Sequence, residues 1–196
     1  MSFVKKIALS AGIIASGLLS AQNSEGLSMK NMLKVGANIG HSLPASNFGL
    51  SAGIDVAYQY LVTPHFGLGL ATGYTHFFGR DNKATGNITL NNNDAGLIPA
   101  ALLLRYYPDS KGIYFGADLG YGFITSGDDY VAAHHNTLRP DGGFYIKPEL
   151  GYHNRNWNFF LQYQKVFTGN EGKILNQDYQ LGGLSAGVSY NIALGK

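Results

Sequence analysis

From residue 32 onward, apolar and polar side chains alternate one by one. Over 32–42, Leu33, Val35, Ala37 and Ile39 fall on one side, and Lys34, Gly36, Asn38 and Gly40 on the other. A period of two places successive side chains on opposite faces of a β-strand. The same alternation returns over 48–62, 66–78, the stretch LIPAALLLRYYPDS (97–110), 113–124, 143–153, 157–167 and 179–192, which makes eight segments. Clusters of Gly, Pro, Asn and Asp separate them, as turns require. No stretch carries the 3.6-residue period of a long amphipathic helix.

The connections alternate in length. After the second, fourth and sixth segments they are short: TPH, PDSKG and NRN. After the third, fifth and seventh they are long and polar: GRDNKATGNITLNNNDA, TSGDDYVAAHHNTLRPDG and TGNEGKILNQD. An even number of strands with short turns at one end and long loops at the other predicts an all-β fold, an eight-stranded antiparallel up-and-down barrel.

Two barrels fit that topology. A soluble, lipocalin-like one turns its apolar face inward, and a membrane-spanning one turns it outward to lipid. The second face decides. It is mainly Gly, Ala, Ser, Asn and Gln with isolated charges, which suits the crowded interior of a narrow barrel better than a solvated surface. Aromatic residues on the apolar face also gather near strand ends. Tyr58, Tyr60, Phe66, Tyr106, Tyr152, Trp157 and Tyr190 lie toward the short turns, and Tyr74, Phe123, Phe144 and Phe167 toward the long loops. Aliphatic side chains such as Ile54, Leu70, Leu102 and Val188 fill the middle. Two aromatic girdles around an aliphatic band predict a transmembrane barrel. Composition agrees: only 13% of residues are charged, about half the usual ~25%.

Arg105, awkward in so apolar a stretch, then points into the lumen. Lys34, Lys147, Asp55, Asp118 and Glu149 point the same way, and the signs balance. Buried charges persist only when paired, so an internal salt-bridge network of these six residues is expected. Pro99 forfeits a ladder hydrogen bond, which suggests a bulge or a rim position.

The first residues, MSFVKKIALSAGIIASGLLSAQ, have a basic start, an apolar run and a small-residue end, the layout of a secretory signal peptide. The resulting division is a signal peptide at 1–21, a periplasmic lead-in at 22–31 and the barrel at 32–196. The formal net charge of +2 comes from Lys5 and Lys6 in the signal, so the mature chain is neutral. No basic patch remains to bind nucleic acid. With no Cys in the chain, a disulfide scaffold is excluded.

The segments IPAALLLRYYP and IYFGADLGYGF, the closing LSAGVSYNI and the signal end SAQ make the chain similar to the small outer-membrane barrels of the OmpA/OmpX-like class. Within it, the chain resembles the porin-like outer membrane β-barrel proteins of Bacteroidota. The likeness implies residence in the outer membrane of a Gram-negative bacterium, contact with its lipids and lipopolysaccharide, and handling by the barrel-insertion machinery. Such chains commonly end on an aromatic residue, whereas ALGK follows Ile192 here.

Architecture favours a plugged barrel with a structural or surface-interaction role, exposing loops 79–95, 125–142 and 168–178 to an extracellular partner. A narrow porin-like channel is the alternative, although eight strands leave little bore. A lipid-modifying enzyme is the further alternative. The lipid A deacylases of this fold carry a His-x-Ser-Asn run, and HSLPASN (41–47) has the wrong spacing, so no catalytic residue is assigned. No cofactor is implied. Asp128, Asp129, His134 and His135 share a loop and are metal-ligating types, but a solvated polar loop accounts for them and no metal is assigned.

Overall fold

The computed structural model describes residues 29–83, 89–175 and 177–195. The expected signal peptide and most of the expected lead-in lie outside these residues. The barrel strands are β1 (Asn31–Ser42), β2 (Phe48–Leu61), β3 (Phe66–Gly79), β6 (Ala95–Tyr106), β7 (Gly112–Thr125), β8 (Gly142–His153), β9 (Trp157–Phe167) and β10 (Leu181–Ala193). Each begins and ends within two residues of the span that alternation marks out, except that β6 stops at Tyr106, four residues short of 110, because Pro108–Ser110 belong to the turn. They close in the order β1-β10-β9-β8-β7-β6-β3-β2, each antiparallel to its neighbours. The loop after β3 is long and polar, as its sequence indicates. It carries a small hairpin, β4 (Asp81–Lys83) paired with β5 (Thr89–Asn91).

The barrel is apolar on the outside. In β6, Leu102 is 63% exposed while Leu103 beside it is 1% exposed. Ile39, Leu70 and Leu161 are also exposed on the outer wall. Lys34, Arg105, Asp118 and Lys147 are all buried inside. Water would penalise both choices, the first by the hydrophobic effect and the second by desolvation of charge. Lipid around the wall removes the first penalty, and pairing within the lumen offsets the second. The surface is that of a membrane-spanning barrel.

Pro99 makes no bulge and does not sit at the rim. It pairs with Gly122 well inside β6. On its other side the β3–β6 ladder runs from Phe66↔Tyr106 to Ala71↔Ala101, lapses, and resumes at Thr75↔Leu97 in the same register. Pro148 interrupts β8–β9 in the same way, between Ile146↔Lys165 and Glu149↔Gln162. A residue without an N–H cannot donate to the ladder, yet the pairs on either side hold the register. The irregularity in register lies elsewhere, in β2 between Phe48 and Ser51.

Candidate functional site

The lumen is filled in layers, and strand register decides which side chains meet. Arg105, Gly116 and Glu149 occupy one row across β6, β7 and β8. A Cβ built on Gly116 would lie 2.7 Å from Arg105 Cδ. The missing side chain therefore lets the arginine lie flat over β7 and reach the third strand. Its Nη2 donates to Glu149 Oε2 at 3.1 Å and its Nη1 to Asp118 Oδ1 at 2.6 Å. Asp118 faces Lys147 directly across β7–β8, and Lys147 Nζ lies 2.9 Å from Asp118 Oδ2. The same ammonium donates to Asp55 Oδ1 at 3.1 Å, on β2 across the lumen. Glu149, Arg105, Asp118, Lys147 and Asp55 thus form one chain of alternating sign.

Neutral groups complete the lattice. Tyr114 donates its hydroxyl to Glu149 Oε1 at 2.6 Å, and Asn38 Nδ2 donates to Asp55 Oδ2 at 2.6 Å. Charge-assisted bonds of this length are the strong class. A cavity of about 30 Å³ lies beside the lattice, on the scale of a single water rather than a bore.

Lys34 departs from the expected network. Its Nζ donates to Tyr107 Oη at 3.2 Å and to Gln59 Oε1 at 3.4 Å, and it lies over the Tyr114 ring at 5.4 Å. Among the described residues no carboxylate forms a salt bridge with it. The reason is axial level: Asp55 pairs with Gly36, whereas Lys34 pairs with Ala57. That is one inward position nearer the short turns, where the facing groups are aromatic and amide. Tyr107, Tyr114 and Phe160 form an apolar layer there. Alternation places Tyr107, Tyr114 and Gln59 on the inward face, but nothing local marks them as the partners of Lys34 and Glu149.

The long-loop end holds a feature that the sequence reading missed. Leu90 from the hairpin, Val131 and Ala132 from the loop after β7, and Ile174 and Tyr179 from the loop after β9 are all buried. They pack with Phe48, Phe77, Leu97, Val166 and Leu181 into one apolar cluster across the barrel mouth. Loop-to-loop bonds fasten this cap. Asn93 N donates to Val131 O at 3.0 Å, Asn47 Nδ2 to Asn92 Oδ1 at 3.1 Å, and Gln180 N to Asn47 Oδ1 at 3.0 Å. The only signal in the sequence is the scatter of isolated apolar residues through otherwise polar loops.

On the outer wall, the short-turn girdle holds Tyr58, Tyr60, Phe66, Tyr106, Tyr152 and Trp157 exposed, with Tyr190 half-buried against Trp157 at 4.8 Å. Tyr74, Phe123, Phe144 and Phe167 stand exposed at the other end. Among the described residues no group of three or more His, Asp or Glu gathers to hold a metal, Asp128, Asp129, His134 and His135 included.

No protein-family model matches the chain, and no curated protein sequence does. Solved structures do match. The outer membrane protein OprG from Pseudomonas aeruginosa aligns with a TM-score of 0.52 at 15% identity, covering 82% of this chain and 94% of that one. Ail of Yersinia pestis gives 0.47 at 12% identity, over 82% and 97%, and Neisserial surface protein A gives 0.45 at 17%, over 85% and 99%. The OprG likeness extends over nearly the whole described barrel and concerns the fold. Together with the apolar wall and the polar lumen, it gives this chain the fold of the small outer-membrane β-barrels.

Proposed function

We propose that this protein is a closed outer-membrane barrel that works through the outer surface of its loops, as a structural or surface-contact element. One observation carries the reading: side chains from three loops pack as an apolar core over the long-loop mouth. Such a core closes the lumen and holds the loops in one arrangement, and loops on a rigid scaffold are where recognition is commonly built. Tyr130, Leu138 and Leu175 remain exposed on those loops and are suited to contact an extracellular partner. Kinship with the porin-like barrels of Bacteroidota is part of the same proposal.

The narrow-channel alternative needs both the cap and the charge lattice to move. An enzymatic role is disfavoured by the neighbours His41 and Ser42. His41 is exposed on the outer wall, while Ser42 is buried and donates to Gly182 O at 2.8 Å. The test is current recording in planar bilayers, paired with adhesion of expressing cells to hydrocarbon droplets. No current steps are expected, with adhesion reduced by Leu138→Asp. Discrete steps in the wild type would return the assignment to a channel.

A further inference from the structure

We propose that the short-turn mouth of the barrel is a preformed cup for a compact, neutral, apolar ligand. A cavity of about 400 Å³ opens there, within the roughly 300–1,000 Å³ typical of small-molecule sites. Met29, Met32, Leu61 and Pro64 form one side. Tyr107 and His153 make the floor, their rings edge-on at 4.7 Å.

The chemistry of the remaining wall selects the ligand. Asn158 Nδ2 donates to Asn191 Oδ1 at 2.7 Å and to Ser189 Oγ at 3.0 Å. Asn191 Nδ2 donates to Arg155 O at 3.3 Å, and His153 Nε2 to Asp109 O at 3.1 Å. These buried groups are already satisfied by one another, so a polar ligand gains little from them. The charged residues lining the cup, Asp109 and Arg155, stand on its exposed lip. No charged side chain lines the floor, so a charged group taken there would lose its water with only the Lys34 ammonium, behind the Tyr107 hydroxyl, to offset that for an anion. What the cup offers is apolar and aromatic surface.

The cup is also held open by its own rim. Leu61 N bonds Lys30 O at 2.8 Å, and Tyr107 N bonds His65 O at 2.8 Å. His153 bonds Asp109 as above, Asn191 N bonds Asn156 O at 2.7 Å, and Leu194 N bonds Asn31 O at 3.0 Å. These links join β1 to β2, the β2–β3 turn to the β6–β7 turn, that turn to β8, the β8–β9 turn to β10, and β10 back to β1. The circuit fixes the walls before any ligand arrives, which lowers the ordering cost of binding.

The chain has three methionines, and Met1 lies on the signal segment. In the chain without residues 1–21, Met29 and Met32 are the whole methyl-methionine spectrum, and both line the cup. The experiment is a titration of the 13C-methionine-labelled barrel in lipid nanodiscs with indole, and separately with the anionic indole-3-acetate. Saturable shifts of both methyl signals are expected with indole, and shifts several-fold smaller with the anion. Leu61→Trp, or Pro64→Trp on the exposed turn, should occupy the cavity and abolish the indole shifts while keeping the heat-sensitive gel mobility of a folded barrel. Shifts that rise linearly without saturation, that persist in the blocked variants, or that are absent in the wild type would overturn the proposal.

Discussion

Replacing Arg105 by Met tests whether the charge lattice holds the barrel together. The guanidinium is 4% exposed and is bonded to two carboxylates, Asp118 at 2.6 Å and Glu149 at 3.1 Å. Breaking a buried pair by removing one partner typically costs about 3–5 kcal/mol, because the surviving charge stays buried. Here each carboxylate keeps one donor, Lys147 for Asp118 and the Tyr114 hydroxyl for Glu149. Met also refills most of the arginine's volume with apolar atoms. The cost therefore falls at the low end, about 3 kcal/mol. The assay is urea-driven unfolding of the vesicle-inserted barrel, followed by the unboiled gel band and by fluorescence of the single Trp157. Glu149→Gln alone and Arg105→Met/Glu149→Gln complete a cycle, with a coupling of about 1–3 kcal/mol expected for residues in one network. A loss below about 1 kcal/mol for Arg105→Met, or strict additivity in the cycle, would refute the lattice as a source of stability.

Other outcomes follow from the same geometry. Lys34→Met should change stability by less than about 1 kcal/mol in the same assay, since no carboxylate loses a partner and Tyr107 still donates to Gln59 at 2.9 Å. Gly116→Val should cost about 1–3 kcal/mol, because the new side chain occupies the path of Arg105 over β7. Leu90→Asp should undock the cap without unfolding the barrel: protease nicking of the outer loops rises while the unboiled band survives. Burial raises the Tyr179 hydroxyl above the usual tyrosine range, so folding favours the protonated form. That preference is intact below about pH 10, the ordinary value, and is lost as pH climbs beyond it. Subtilisin nicking of the loops should increase in that range in the wild type and stay flat in Tyr179→Phe.

The barrel was legible in the sequence because a strand's period of two is enforced twice here, by lipid outside and by a crowded lumen inside. Arg105 beside Leu104, or Leu103 beside Leu102, can be assigned to a face without knowing any neighbour. What parity cannot supply is height. Whether Lys34 meets Asp55 or Tyr107 depends on the stagger of β1 against β2, fixed by pairings such as Gly36↔Asp55. Those pairings belong to closure of the whole sheet. The cap was hidden for a different reason. Leu90, Val131 and Ile174 come from three loops with no shared period, and only the folded mouth brings them together. The cup escaped notice too, since four of the five links in its rim join backbone groups that every sequence possesses.

The bond from Lys147 to Asp55 crosses the bore instead of following the wall. A hollow tube under lateral pressure flattens into an oval at little cost, because its hydrogen-bonded skin bends without breaking. A tube with an internal tie must lengthen or rupture that tie to change cross-section. Compression by the surrounding lipid is then borne by the interior, and the barrel keeps its girth as the bilayer thickens or thins around it.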